Sequence, residues 1–152
     1  MRSSKRSAAS SKPPESLVFY ADECLGKHVP AVLLAAGYSI APWYDHFAGV
    51  PDVKWLPAVG RRHWILFTKD KDIRRRPLEI DAILNSGVRA FVLTAADLPR
   101  EEQAAIFLRA MPKIQRICRQ PGPFIYNITR TGRFARISNT VLKHRAGRAA
   151  RQ

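Results

Sequence analysis

Short apolar runs alternate with helical patterns along most of this chain. Leu17 to Ala21 is an unbroken run rich in strand formers, and Tyr38 to Trp43, Trp64 to Thr68 and Val88 to Thr94 are three more. Val29, Val32, Leu33 and Ala36 recur at helical spacing, with Gly37 as the stop. Asp52 is placed to cap a short helix carrying Val53, Trp55, Leu56 and Val59, which Gly60 ends. Pro77 opens a helix over 77–85, and Pro99 starts a longer one with Ala104, Ile106, Phe107, Leu108 and Met111 on its apolar face and a kink expected at Pro112. Phe124 to Thr129 and Arg133 to Ile137 flank Gly132 as a hairpin.

Strands alternating with helices predict an α/β fold: one three-layer α/β/α domain with a mainly parallel central sheet and right-handed crossovers, followed by a C-terminal β-hairpin. The expected boundaries are a disordered basic tail at 1–15, a domain at 16–140 and a basic C-terminal tail at 141–152. Residues 1–15 share their Ser, Lys and Arg with transit peptides but lack apolar periodicity, hence the reading as a tail.

Charge changes the picture next. The 152 residues hold 26 Lys and Arg against 12 Asp and Glu, a net charge of +14. Such an excess speaks for a polyanionic partner, nucleic acid ahead of an anionic membrane surface. No apolar stretch approaches the ~20 residues of a membrane span. Cys24 and Cys118 have no metal-ligand spacing and follow no secretory signal, so reduced thiols in a cytoplasmic protein are expected.

Against that basic background, two of the apolar runs end in acids. The first leads into Asp22 and Glu23, the second into Asp70 and Asp72. Ligands of parallel sheets bind outside the carboxyl ends of the strands, and Asp52 follows the second strand onto the same side. Clustered carboxylates repel one another unless cations are bound, so the pattern predicts Mg²⁺ or Mn²⁺. Such an ion polarises a phosphoryl oxygen and activates water. Asp22, Asp70 and Asp72 are the leading candidates. Glu23 stands as either a ligand or a solvated neighbour, and Asp52 as a helix cap that is also compatible with a ligand role; Asp72 has pairing with Arg74 or Arg75 as its alternative. Asp81, Asp97, Glu101 and Glu102 read as structural.

Lys69, Lys71, Arg74, Arg75 and Arg76 flank these acids and are candidates for holding a phosphate backbone, as are Arg61 and Arg62 before the third strand, with a solvated charged loop as the alternative. Trp43, Tyr44 and Phe47 are candidate base-stacking groups or loop anchors. His46 is the histidine nearest the expected pocket, and Cys24 reads as a packing residue. No Gly-rich phosphate loop and no Ser-His-Asp pattern is present.

The strings Phe19-Tyr-Ala-Asp-Glu-Cys-Leu25, Val32-Leu-Leu-Ala-Ala-Gly-Tyr38, Pro51-Asp-Val-Lys-Trp-Leu56 and Ile65-Leu-Phe-Thr-Lys-Asp-Lys-Asp72 resemble the PIN-like superfamily, in particular its VapC-like toxin branch and relatives of the Mut-seven C-terminal type. The resemblance covers residues 17–95, and more loosely the chain up to the hairpin. It implies a metal-dependent ribonuclease, often the toxin of a toxin–antitoxin pair, with catalytic acids at Asp22, Asp52, Asp70 and Asp72. Many relatives carry Glu deeper in the helix where this chain has Asp52 at the helix start, which leaves Glu23 as the alternative ligand. The implied partners are RNA and a cognate antitoxin that is acidic or inserts a basic side chain, with a homodimer as a further expectation and no membrane. Two alternatives stand beside this reading. One is an inactive RNA-binding module. The other is a phospho-receiver domain, which Asp22, Glu23, Asp70 and Thr94 superficially match, although no Lys-Pro follows the final strand.

Overall fold

The computed structural model describes residues 16–150, so the expected tail at 1–15 lies outside the described residues. Six strands form one sheet: β1 (Val18–Ala21), β2 (Ser39–Pro42), β3 (Ile65–Thr68), β4 (Arg89–Leu93), β5 (Phe124–Ile128) and β6 (Phe134–Ile137). Their order is β2-β1-β3-β4-β5-β6. The first five are parallel, and β6 returns antiparallel to β5 as the expected hairpin. Among the described residues there are five α-helices: α1 (His28–Ala35), α2 (Asp52–Arg61), α3 (Pro77–Ser86), α4 (Arg100–Ile117) and α5 (Asn139–Ala150). None is long and apolar enough to cross a membrane.

The period of two along each strand divides the core. Phe19, Ile65, Phe67 and Phe91 face one side, where they pack with α1 and α4. Tyr20, Leu66, Ala90 and Val92 face the other, against α2, α3 and α5. This gives the three layers. Central β3 is buried at all four positions, as a parallel strand covered on both faces must be. Phe67 at its centre stacks on Phe19 at 4.9 Å and on Phe107 at 4.8 Å between ring centroids. Truncating such a ring costs about 3–5 kcal/mol.

The structure corrects three local expectations. Asp52 is not the cap of α2: Pro51 occupies the cap, and Asp52 is the first helical residue with its carboxylate turned elsewhere. α4 is a single helix of 18 residues with Pro112 inside it, as expected of a proline that kinks rather than ends a helix. Arg61 and Arg62 end α2 and precede β3, so they lie at the opposite edge of the sheet from the acids. Arg62 stacks there over Trp64, 4.8 Å from its centroid. Finally, residues 141–150 of the stretch expected as a basic C-terminal tail at 141–152 belong to α5, and Leu142 is fully buried in the core; 151–152 lie outside the described residues. Leu142 and Ala146, one turn apart, form a narrow apolar stripe that the surrounding charge conceals.

Helices α2 and α3 run side by side from the carboxyl edge of the sheet. They come into close contact where they end: a Cβ added at Gly60 would collide with the backbone of Ser86. Gly87 then terminates α3 in the left-handed conformation, with φ of 69°.

Candidate active site

Asp22 leaves β1 at the carboxyl edge and is 7% exposed. Its Oδ1 accepts the Glu23 backbone N–H at 2.7 Å. Its Oδ2 accepts the Thr68 hydroxyl at 2.8 Å and the Cys24 thiol at 3.3 Å. Thr68, the last residue of neighbouring β3, also accepts the Asp70 N–H at 3.0 Å. One buried hydroxyl therefore ties the first acid to the loop that carries the later pair. Asp70 Oδ1 in turn accepts the Asp72 N–H at 3.0 Å and caps the short turn Lys71–Arg74. Asp52 Oδ1 accepts the indole N–H of Trp55 at 3.0 Å.

Arg76 gathers the remaining acids. Pro77 confines Arg76 to extended backbone, with φ of −75° and ψ of 119°, as the N-cap of α3. Its guanidinium lies 3.2 Å from Asp70 and 3.1 Å from Glu79, both as hydrogen bonds. It also lies 3.5 Å from Asp72 and 3.9 Å from Asp52. Four carboxylates from α2, the β3 loop and α3 thus converge on one cation. Glu79 was not singled out from the sequence, because an acid in the first turn of a helix is ordinary. The signal available was its spacing of three residues from Arg76 across Pro77. In sequence Arg76 is indistinguishable from the other arginines of its run.

Burial raises the pKa of Asp22, and the Thr68 and Cys24 hydrogen bonds oppose that shift. Burial likewise raises Asp52, opposed by the Trp55 hydrogen bond and reinforced by the charge of Asp70. Glu79 is raised by burial against the pull of Arg76. Cys24 is pushed up to about 12 by burial and the Asp22 charge, so its thiol is neutral, which agrees with a packing role over a nucleophilic one. The pocket disfavours bare negative charge and rewards whatever neutralises it.

The other candidates divide. Glu23 is exposed and its carboxylate is not among the partners of Arg76, though its charge adds to the rise at Asp52. Lys69 lies on the far side of Asp22 from Arg76, lining a separate cavity. Lys71 and Arg75 are exposed. Arg74 hydrogen-bonds Asn127 at 3.0 Å and sits beside Arg145, whose guanidinium reaches the Arg74 carbonyl at 2.7 Å, so it braces the hairpin and α5. Trp43 is a loop anchor through its indole N–H to the Gly26 carbonyl, and Phe47 packs against Tyr20. His46 stacks edge-on against Trp64 at 4.9 Å and has no hydrogen bond or ion pair to an acid among the described residues.

Among the described residues, no three His, Cys, Asp or Glu side chains stand in an arrangement that holds a metal ion without movement. The donor chemistry nevertheless fits a hard divalent cation: Asp22, Asp52, Asp70, Asp72 and Glu79 offer carboxylate oxygens only. The positive charge they require is supplied by Arg76.

Comparison with known proteins agrees with the geometry. The family described as "PIN like domain" matches residues 17–95, just over half of the chain. A protein of Mycobacterium tuberculosis named "Putative ribonuclease VapC45" is 35% identical over 115 residues, covering 72% of this chain and 83% of the relative. No solved structure matches.

Proposed function

The chain belongs to the PIN-like domain family, and on that footing we propose that it is a metal-dependent endoribonuclease, the toxin of a type II toxin–antitoxin pair. The observation that carries this reading is the convergence of Asp52, Asp70, Asp72 and Glu79 within 4 Å of one guanidinium, beside buried Asp22. The receiver alternative does not survive the family match. The strand order 2-1-3-4-5 is common to both folds, so the residues and not the sheet separate them.

Asp22, Asp70 and Asp72, with Asp52, would hold Mg²⁺ or Mn²⁺. Glu23, exposed and apart from Arg76, is the weaker choice for the open place. Such an ion supplies charge neutralisation at the phosphodiester and a more acidic water. The chain's own part is positional. Thr68 and the Glu23 N–H fix the rotamer of Asp22, and Thr68 also fixes the start of the Asp70 loop. Arg76 holds the carboxylates together against their repulsion, a part that a bound cation would take over. Its guanidinium is 45% exposed and would then be available to donate to a phosphate. Hydrolysis forms a bond from a water oxygen to phosphorus and breaks the bond to O3′, which takes the proton. The products are a 5′-phosphate and a 3′-hydroxyl.

The pairing of Arg76 with the acids also favours a second reading, an RNA-binding module whose site is permanently closed. One assay decides between them. Purified protein with Mn²⁺ is incubated with single-stranded RNA beside Asp70→Asn. Metal-dependent cleavage by the parent and loss in the variant is the expected result. Equal cleavage by both removes the assignment, and RNA binding without turnover by the parent selects the second reading.

A further inference from the structure

The carboxyl edge has a second feature that the acids do not use. A cavity of about 400 Å³ opens on the other side of Asp22, between the start of α1 and the start of α4. Lys27, Lys69 and Arg100 line it, together with His28. Its inner wall is Cys24, whose sulfur lies 3.3 Å from Asp22 Oδ2 and accepts the Lys69 N–H at 3.3 Å. The cavity therefore begins one side chain away from the candidate catalytic acid. Its floor is rigid: Gln103 is 3% exposed, and its amide donates to the carbonyls of Ala96 at 3.3 Å and Leu98 at 2.7 Å, fixing the loop that leads to Arg100.

Three cations from three separate segments share this cavity. Their opposing charge is slight. Arg100 touches Glu101 at 3.1 Å, but both side chains are largely exposed, at 71% and 63%, where such a pair is worth little. Lys27 lies 5.3 Å from the centroid of the Tyr44 ring, a contact that leaves its charge available to an anion. On the opposite side of Asp22 the pocket is lined by carboxylates, which repel a phosphate backbone. A strand with one phosphodiester at Asp22 is therefore drawn over the basic side.

We infer that the cavity between α1 and α4 takes a phosphate of the RNA strand next to the one cleaved, held by Lys27, Lys69 and Arg100. The inference rests on the ribonuclease reading and extends it to residues outside the acidic loop. Contacts of this kind position a strand without reading its sequence, and they release counterions.

The test is Lys27→Gln with Arg100→Gln, two exposed positions, made in the uncleaving Asp70→Asn protein. Binding of a fluorescein-labelled single-stranded oligoribonucleotide is measured across a series of salt concentrations, and the melting temperature is recorded as a check on folding. The slope of log affinity against log salt should fall by about 1.4, roughly 0.7 for each lost phosphate contact on a single strand. In the otherwise unaltered protein the same pair should raise KM and leave kcat nearly unchanged, as loss of uniform binding does. Lys143→Gln, on α5 and lining a different cavity, should leave KM unchanged. RNA binding with an unaltered slope overturns this inference alone. Absence of RNA binding by the Asp70→Asn protein overturns both it and the ribonuclease reading.

Discussion

The two sides of the carboxyl edge solve opposite electrostatic problems. On the α2 and α3 side, acids from three segments are pressed together, part-buried, and already satisfied by Arg76. On the α1 and α4 side, bases from three segments surround an open cavity, and Glu101 is the one carboxylate among the described residues that pairs with a lining cation. The first arrangement suits a small ion that can enter a crowded site; the second suits a long polyanion that stays in solvent. Asp22, held by Thr68 and Cys24, is the wall between them. A net charge of +14 therefore describes the molecule poorly. What matters is that opposite signs meet across one buried carboxylate.

The strongest way to break the contrast is to remove an acid. Asp22→Asn or Asp70→Asn should lower the rate of metal-dependent RNA cleavage at least about a hundredfold, since losing a metal ligand removes several kcal/mol of charge stabilisation. Single-turnover assays on labelled RNA check this. Next comes Arg76→Ala. It should bind Mn²⁺ about tenfold more tightly by calorimetry, because the internal competitor is gone. Without metal the same variant should lose about 1–3 kcal/mol of stability, as buried Glu79 is left unpaired. Unchanged Mn²⁺ affinity would mean that Arg76 and the ion do not share a place.

Thr68→Val keeps the side-chain shape and removes the hydroxyl that joins Asp22 to Asp70. A loss of about 1–3 kcal/mol in urea unfolding is expected, with weaker Mn²⁺ binding. The subtlest effect is on pH. Asp22, Asp52 and Glu79 all have raised pKa values, so the folded state holds their protons more firmly than the unfolded chain does. Their contribution is fully present below the ordinary carboxylate range and is lost as pH rises through the raised values. Without divalent metal, the melting temperature should therefore increase as pH falls from neutral toward that range, and Mn²⁺ affinity should decrease over the same interval. A melting temperature that drops steadily from neutral pH downward would contradict the burial of these groups.

Much of this was legible in the chain. The runs ending at Ala21 and Thr68 became adjacent parallel strands, and the acids after them share one edge because parallel strands all end there. What escaped was set by tertiary contact. Arg76 looks like its neighbours Arg74 and Arg75 in sequence, yet Pro77 fixes its backbone and the four acids claim its side chain, while Arg74 turns to Asn127. Glu79 is an ordinary first-turn acid until α3 is packed beside α2. Asp52 fits the sequence rule for a cap, but the Trp55 indole holds its carboxylate and Pro51 takes the cap. Leu142 is one buried side chain in a basic stretch, too weak a pattern to signal a helix that completes the core.

The contact at Gly60 acts at a distance. Helices α2 and α3 start at the acids, with Asp52 in first position and Glu79 in the first turn, and their far ends meet where Gly60 faces Ser86. Wedging one methyl group between the far ends, about 12 Å along the axis from Asp52, would tilt the helices and change the spacing of the carboxylates. The spacing of these carboxylates is thus tied to a residue with no side chain, at the opposite ends of the two helices that carry them.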